Sequence, residues 1–178
     1  MAAGLAAVAV AVAVAVAVGG CSSMSPFHKG ATGPAHPVEP LSDEQSRAQV
    51  VDPAKEIARA AGLQVTRVTF AWEWCNDQGE PPYHGRVDMV FKLPSDGDSG
   101  AYFERILSTM ADQPGWGEGP VPGKRPFGDS LHKAGATVVV GRRNKERGIA
   151  QVFGECRNMN DHRDDSGWHD ITDEFTGN

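Results

Sequence analysis

The sequence predicts an α+β domain of two layers, in the order αββαββ, with two helices packed on one face of a four-stranded, mainly antiparallel sheet. Three observations lead there. Apolar residues recur at helical spacing in two segments. In four others they largely alternate with polar residues, the pattern of a strand with one buried face. Two cysteines, Cys75 and Cys156, fall at the ends of two of those strands and suggest the sheet order 2-1-4-3.

A leader precedes the domain. From Ala2 to Val18 no side chain is charged or polar. The run is shorter than the roughly 20 residues that cross a bilayer and ends in small residues, which reads as a cleaved signal over residues 1–20. Val18-Gly19-Gly20-Cys21 resembles the lipobox of bacterial lipoproteins. The resemblance implies a diacylglyceryl thioether on Cys21, acyl chains in the membrane and a mature chain facing the outside. No Lys or Arg precedes Cys21. That departs from the usual basic start, suggests a true start upstream of Met1, and leaves a retained signal anchor as the alternative.

Residues 21–41 then read as the lipidated cysteine and a tether, rich in Ser, Gly, Pro and His with too few apolar side chains to fold. The folded domain is expected over residues 42–160. Ser42 and Gln45 form a capping-box pattern, Val50, Ala54, Ile57 and Ala61 make a helical stripe, and Gly62 ends helix one. Strand one runs from Val65 to Cys75, with Val68, Phe70, Trp72 and Trp74 on one face. After a turn-rich link from Asn76 to Gly85, Val87, Met89, Phe91 and Leu93 mark strand two. Ser99 can cap helix two, whose stripe is Phe103, Ile106, Leu107 and Met110. A Gly/Pro loop reaches about Asp129, and strands three (131–143) and four (148–157) flank the polar turn 144–147.

If Cys21 is acylated, Cys75 and Cys156 remain as an even pair outside the cytosol, which implies a disulfide. Both would lie at the upper ends of co-directional strands, hence the expectation that strands one and four are neighbours. All 17 basic and 23 acidic residues follow Cys21, so the mature net charge is −6, which argues against nucleic acid as a partner. With the leader removed, only roughly a third of the residues are apolar, enough for one modest core.

The stretches Gln49 to Ile57, Cys75 to Tyr83 and Glu155-Cys156-Arg157-Asn158 resemble the small mycobacterial lipoproteins of the LppA-like family. The resemblance implies a lipid-anchored envelope protein and supplies no catalytic residues. Asp129, Ser130 and His132 have the residue types of a hydrolase triad but are near neighbours in one strand, so they read as a turn entering that strand. No Gly-rich segment joins a strand to a helix as a phosphate loop must, so no nucleotide or other cofactor is expected. The acidic tail, residues 161–178, carries Asp161, Asp164, Asp165, Asp170, Asp173 and Glu174 with His162 and His169. Its spacing fits no EF-hand, so it reads as a solvated tail with no metal site. Arg142, Arg143, Lys145 and Arg147 form a basic turn that could meet anionic headgroups but is commonly just a solvated hairpin tip.

These readings favour a non-catalytic binding or interaction module, with an envelope hydrolase or a carrier of an apolar ligand as alternatives. The expected working surface is the upper end of the sheet, where an envelope protein or glycan would meet Tyr83, Trp116 and Phe127 as aromatic contacts and Asp77 as a polar one.

Overall fold

The structure, a computed structural model, describes residues 39–95, 98–121, 126–165 and 167–177. The leader, Cys21 and the tether up to residue 38 lie outside them. Pro37–Asn178 forms one compact unit.

Helix α1 (Asp43–Ala60) opens on the expected capping box: Ser42 Oγ accepts from the Gln45 N–H at 3.2 Å, and the Ser42 N–H donates to Gln45 Oε1 at 2.9 Å. It runs through Pro53 without a break and buries Val50, Val51, Ala54 and Ile57. Helix α2 (Ser99–Ala111) is capped one residue earlier than expected, by Asp98, and buries Ile106 and Met110. The strands are β1 (Val65–Trp74), β2 (Tyr83–Lys92), β3 (Trp116–Glu118), β4 (Ser130–Lys133), β5 (Ala136–Arg142), β6 (Arg147–Phe153) and β7 (His169–Asp170), followed by a short helix α3 (Asp173–Thr176).

The α+β class holds, and the sheet is larger than expected. It has seven strands in the order β3-β4-β5-β6-β2-β1-β7, every neighbouring pair antiparallel. The predicted third strand is really two, divided at Ala134 (φ 49°) and Gly135 (φ 85°). Both central residues have the positive φ that a tight two-residue hairpin needs. An Ala-Gly pair does not advertise that turn as Asn-Gly would. Strand β3 escaped notice because it is three residues long and contains a glycine.

The order 2-1-4-3 is wrong. β2 lies between β1 and β6, and yet the Cys75–Cys156 bond is formed, with Cα atoms 6.0 Å apart. β1 and β6 both run antiparallel to β2 and are therefore co-directional, as expected. Adjacency does not follow, because both chains continue past the point where β2 begins. There the Cys75 N–H donates to Pro82 O at 3.1 Å, and Tyr83 exchanges backbone bonds with Asn158 at 2.7 and 3.1 Å. The disulfide thus arches over the end of β2.

The core lies between the helices and one sheet face, where Val50, Ile57, Val68, Val87, Met89, Phe91, Leu131, Val138 and Val152 are almost wholly buried. Each such side chain contributes roughly 1.5–3 kcal/mol. Gly85 lets α1 lie this close: a Cβ there would stand 2.9 Å from the Ser46 carbonyl oxygen.

The acidic tail keeps its carboxylates exposed, as expected, but it is folded onto the domain rather than free. Its Ile171 N–H donates to Val68 O at 2.9 Å, Ile171 and Phe175 pack against the core, and Glu174 meets Lys55 at 3.0 Å and Arg47. Basic residues on α1 answer the tail's charge, a long-range match that reading the tail as a charge run leaves out.

Candidate functional site

The sheet face away from the helices carries a polar cluster. Odd-numbered β1 residues and even-numbered β2 residues point there, as the pleat requires. Arg86 Nη1 donates to Glu73 at 2.7 Å and its Nε donates to Asp88 at 2.9 Å, while Gln151 donates to Asp88 at 3.2 Å. The guanidinium is 5.0 Å from the ring centroids of both Phe153 and Trp168. His84 sits beside the disulfide, its Nδ1 3.2 Å from Cys75 Sγ, and its Nε2 is 3.6 Å from Glu73, beyond hydrogen-bonding distance. The imidazole of His84 and the Arg86 guanidinium hold the Glu73 carboxyl below its ordinary value, against its partial burial.

Residues 158–165 cross the upper end as a strap, and residues 167–172 run down along the β1 edge. Asn158 is fully buried and donates through Nδ2 to Asp43 at 2.7 Å. The His162 ring stacks on Trp72 with centroids 4.1 Å apart, with Tyr83 edge-on at 5.3 Å. Its Nε2 is 3.0 Å from Asp43 and its Nδ1 2.7 Å from Asp165, so a carboxylate holds each nitrogen. Hydrogen bonds from Asn158, and then from Asn160 and His162, keep Asp43 below its ordinary value.

Between strap and sheet is an open cleft of about 420 Å³, lined by Ala71, Trp72, Glu73, Trp74, Gly167 and Trp168. Four of these are consecutive in β1. Successive side chains of a strand point to opposite faces, so a cleft that touches all four lies along the strand's edge. β7 reaches only Thr69 and Phe70. Trp74 is 59% exposed and Trp168 46%. Among the described residues the indole N–H groups of Trp72, Trp74 and Trp168 have no acceptor, whereas that of Trp116 donates to Glu56 at 3.0 Å.

The partner contacts expected from the sequence, Tyr83, Trp116, Phe127 and Asp77, do not form one exposed surface. Tyr83 (1% exposed) and Trp116 (8%) are turned into the molecule. Phe127, 99% exposed, stands three residues before Ser130, where β4 begins at its lower end, away from the disulfide. Asp77 is exposed in the β1–β2 loop at the upper end. The basic turn around Lys145 lies at the lower end too. His132 gives its Nδ1 to a 3.0 Å contact with the Gly119 carbonyl oxygen. Among the described residues, the cluster with metal-ligand geometry is Cys75, His84 and Cys156, and its sulfurs are bonded to each other.

Trp72 and Trp74 were missed as site residues because they continue the buried stripe of Val68 and Phe70. The available signal was their place at the strand's end, next to the turn-rich link that begins at Asn76.

A disulfide-closed α+β unit behind a lipobox-like leader belongs, in class, with the small mycobacterial lipoproteins. Specifically, the chain is a member of the LppJ family, whose model, described as "Putative lipoprotein LppJ", matches residues 42–174. It is 41% identical to the proteins of that description from Mycobacterium tuberculosis and Mycobacterium bovis, over 88% of this chain and 84% of each relative. The resemblance to mycobacterial lipoproteins therefore holds, with LppJ in place of the LppA-like group. No solved structure matches the chain.

Proposed function

We propose that this protein is a non-catalytic binding module, anchored by a lipid on Cys21 to the outer face of the cell membrane, that holds an envelope component in the tryptophan-lined cleft. One observation carries the reading: three indoles, two of them exposed and none with an N–H acceptor among the described residues, line a single cleft, and two of the three rings are held in place. Trp168 is set by Arg86, Trp72 by His162, and the disulfide ties the strand ends behind them. Those two rings have little side-chain freedom left to lose on binding. The partner is an envelope protein or a glycan, and the net charge of −6 argues against nucleic acid.

The carrier alternative is less well supported. A larger cleft, about 550 Å³, lies between α2 and β3–β4, but it is rimmed by Glu104, Glu118 and Asp129, carboxylates that an apolar ligand would leave desolvated.

Two experiments test the proposal. Fatty-acid labelling of the full chain should succeed and should be lost in Cys21→Ala. The Pro37–Asn178 unit should sediment with a washed mycobacterial cell-wall fraction, and Trp74→Ala/Trp168→Ala should cut that retention by about fivefold or more. Retention unchanged in the double variant would remove the cleft from the function.

A further inference from the structure

Resting on the cleft being the binding site, we infer that its occupant is an extended polypeptide segment of a partner protein, added antiparallel to β1 as a further strand opposite Trp72 and Trp74. The backbone sets the occupant. On β1, Val68 donates its N–H to Thr172 Oγ1 at 2.9 Å and accepts at its carbonyl from the Ile171 N–H, so even-numbered residues direct their backbone groups to the β7 edge. Cys75 directs its N–H the other way, to Pro82 on the β2 side. Trp72 and Trp74 therefore present N–H and C=O groups to the cleft, and among the described residues nothing continues the ladder beyond Phe70. At the register of β7, Gly167 would face Trp72. Instead Gly167 turns with φ 54° and the strap leaves the edge, which opens the slot.

Proteins that keep such an edge unused blunt it with lysine, proline, a bulge or a covering segment. Here β7 covers the lower half, and the upper half carries the half-buried Trp72 and the exposed Trp74 instead. Strand addition draws affinity from the main chain and specificity from alternate side chains. A residue opposite Trp72 would turn its side chain to the helix face, between Trp72 and Trp74, and should be apolar. Its neighbours would turn to the other face, beside Glu73 and Trp168. The Glu73 carboxylate and the Trp168 ring favour lysine or arginine there. A glycan could stack on the indoles but would leave the backbone groups of Trp72 and Trp74 to chance.

The test uses the Pro37–Asn178 unit, whose core, sheet and disulfide are internal to it. The probe is a capped peptide of alternating valine and lysine, followed through the backbone amide and indole resonances of ¹⁵N-labelled protein. Binding with a Kd of about 1 mM or tighter is expected, with the Trp72 amide among the most shifted signals. In the antiparallel pairing the valine amides bond to β1 and the lysine amides point away. N-methylating the valine amides should weaken binding about tenfold or more, and N-methylating the lysine amides should leave it nearly unchanged. Equal binding of both methylated peptides, or no binding of the parent, would overturn strand addition. So would shifts of the same indoles by chitotetraose with the peptide silent, although the cleft would then stand as the binding site. Cell-wall retention that survives loss of Trp74 and Trp168 would instead sink the cleft reading itself.

Discussion

Tryptophans in this chain divide by what their rings and N–H groups touch. Trp116 lies against the core, its N–H bonded to Glu56 and its ring under Lys133, whereas Trp74 is largely exposed and has no ring partner among the described residues. Trp116→Ala should therefore cost about 3 kcal/mol or more of stability, while Trp74→Ala should stay within about 0.5 kcal/mol of the parent. Urea unfolding midpoints at unchanged m-value would check both. The sequence shows that each residue is aromatic and near a turn or strand end. It does not show which side of the core surface the ring falls on, because Trp72 and Trp74 share a stripe with Val68 and Phe70, and Trp116 precedes a strand too short to show a period.

Elements that close within a few residues were legible: the capping box of α1, the alternation of β1 and β2, and the stripe of α2. Those defined by distant partners were not. β7 exists because Phe70 and Thr69 lie opposite His169 and Asp170, and two residues have no periodicity of their own. The strap depends on His162 between Asp43 and Asp165 and against Trp72. His162→Ala should raise amide exchange at Ile171 by about tenfold or more and leave Val87 and Met89 unchanged, since local opening of the strap need not open the core. The disulfide closes 81 residues, and cutting that loop frees the denatured chain. Cys75→Ala/Cys156→Ala should lose about 4 kcal/mol in the chain-entropy description, read as a lower urea midpoint.

For the molecule as a whole, the depressed carboxyl groups set the response to pH. Asp43 is held down by Asn158, Asn160 and His162, and Glu73 by His84 and Arg86. Glu56, pushed up by burial, is brought lower by Lys133 and Trp116. As pH falls, the unfolded chain takes up protons first, near the ordinary values of about 4, and gains on the folded one. Stability should be level above about pH 5 and should fall as the pH drops through and below that range, with a shallower fall in Asp43→Asn. Thermal melts across the acid range would show it. The α+β class and the mycobacterial lipoprotein family were legible in the sequence, whereas the strand count, the sheet order and the docking of the tail were not. The cleft was not, because it is made where an edge strand, a turn at Gly167 and a strap from the far end of the sequence meet.

The central claim is that this meeting point is where the protein binds. The chain has four tryptophans, and their indole N–H resonances sort the possibilities within one ¹H–¹⁵N spectrum of the Pro37–Asn178 unit titrated with a solubilised mycobacterial envelope extract. The signals of Trp72, Trp74 and Trp168 should shift or broaden together while that of Trp116, occupied by Glu56, stays in place. Shifts confined to Trp116, or signals from Phe127 and the basic turn moving with all three cleft indoles still, would contradict it.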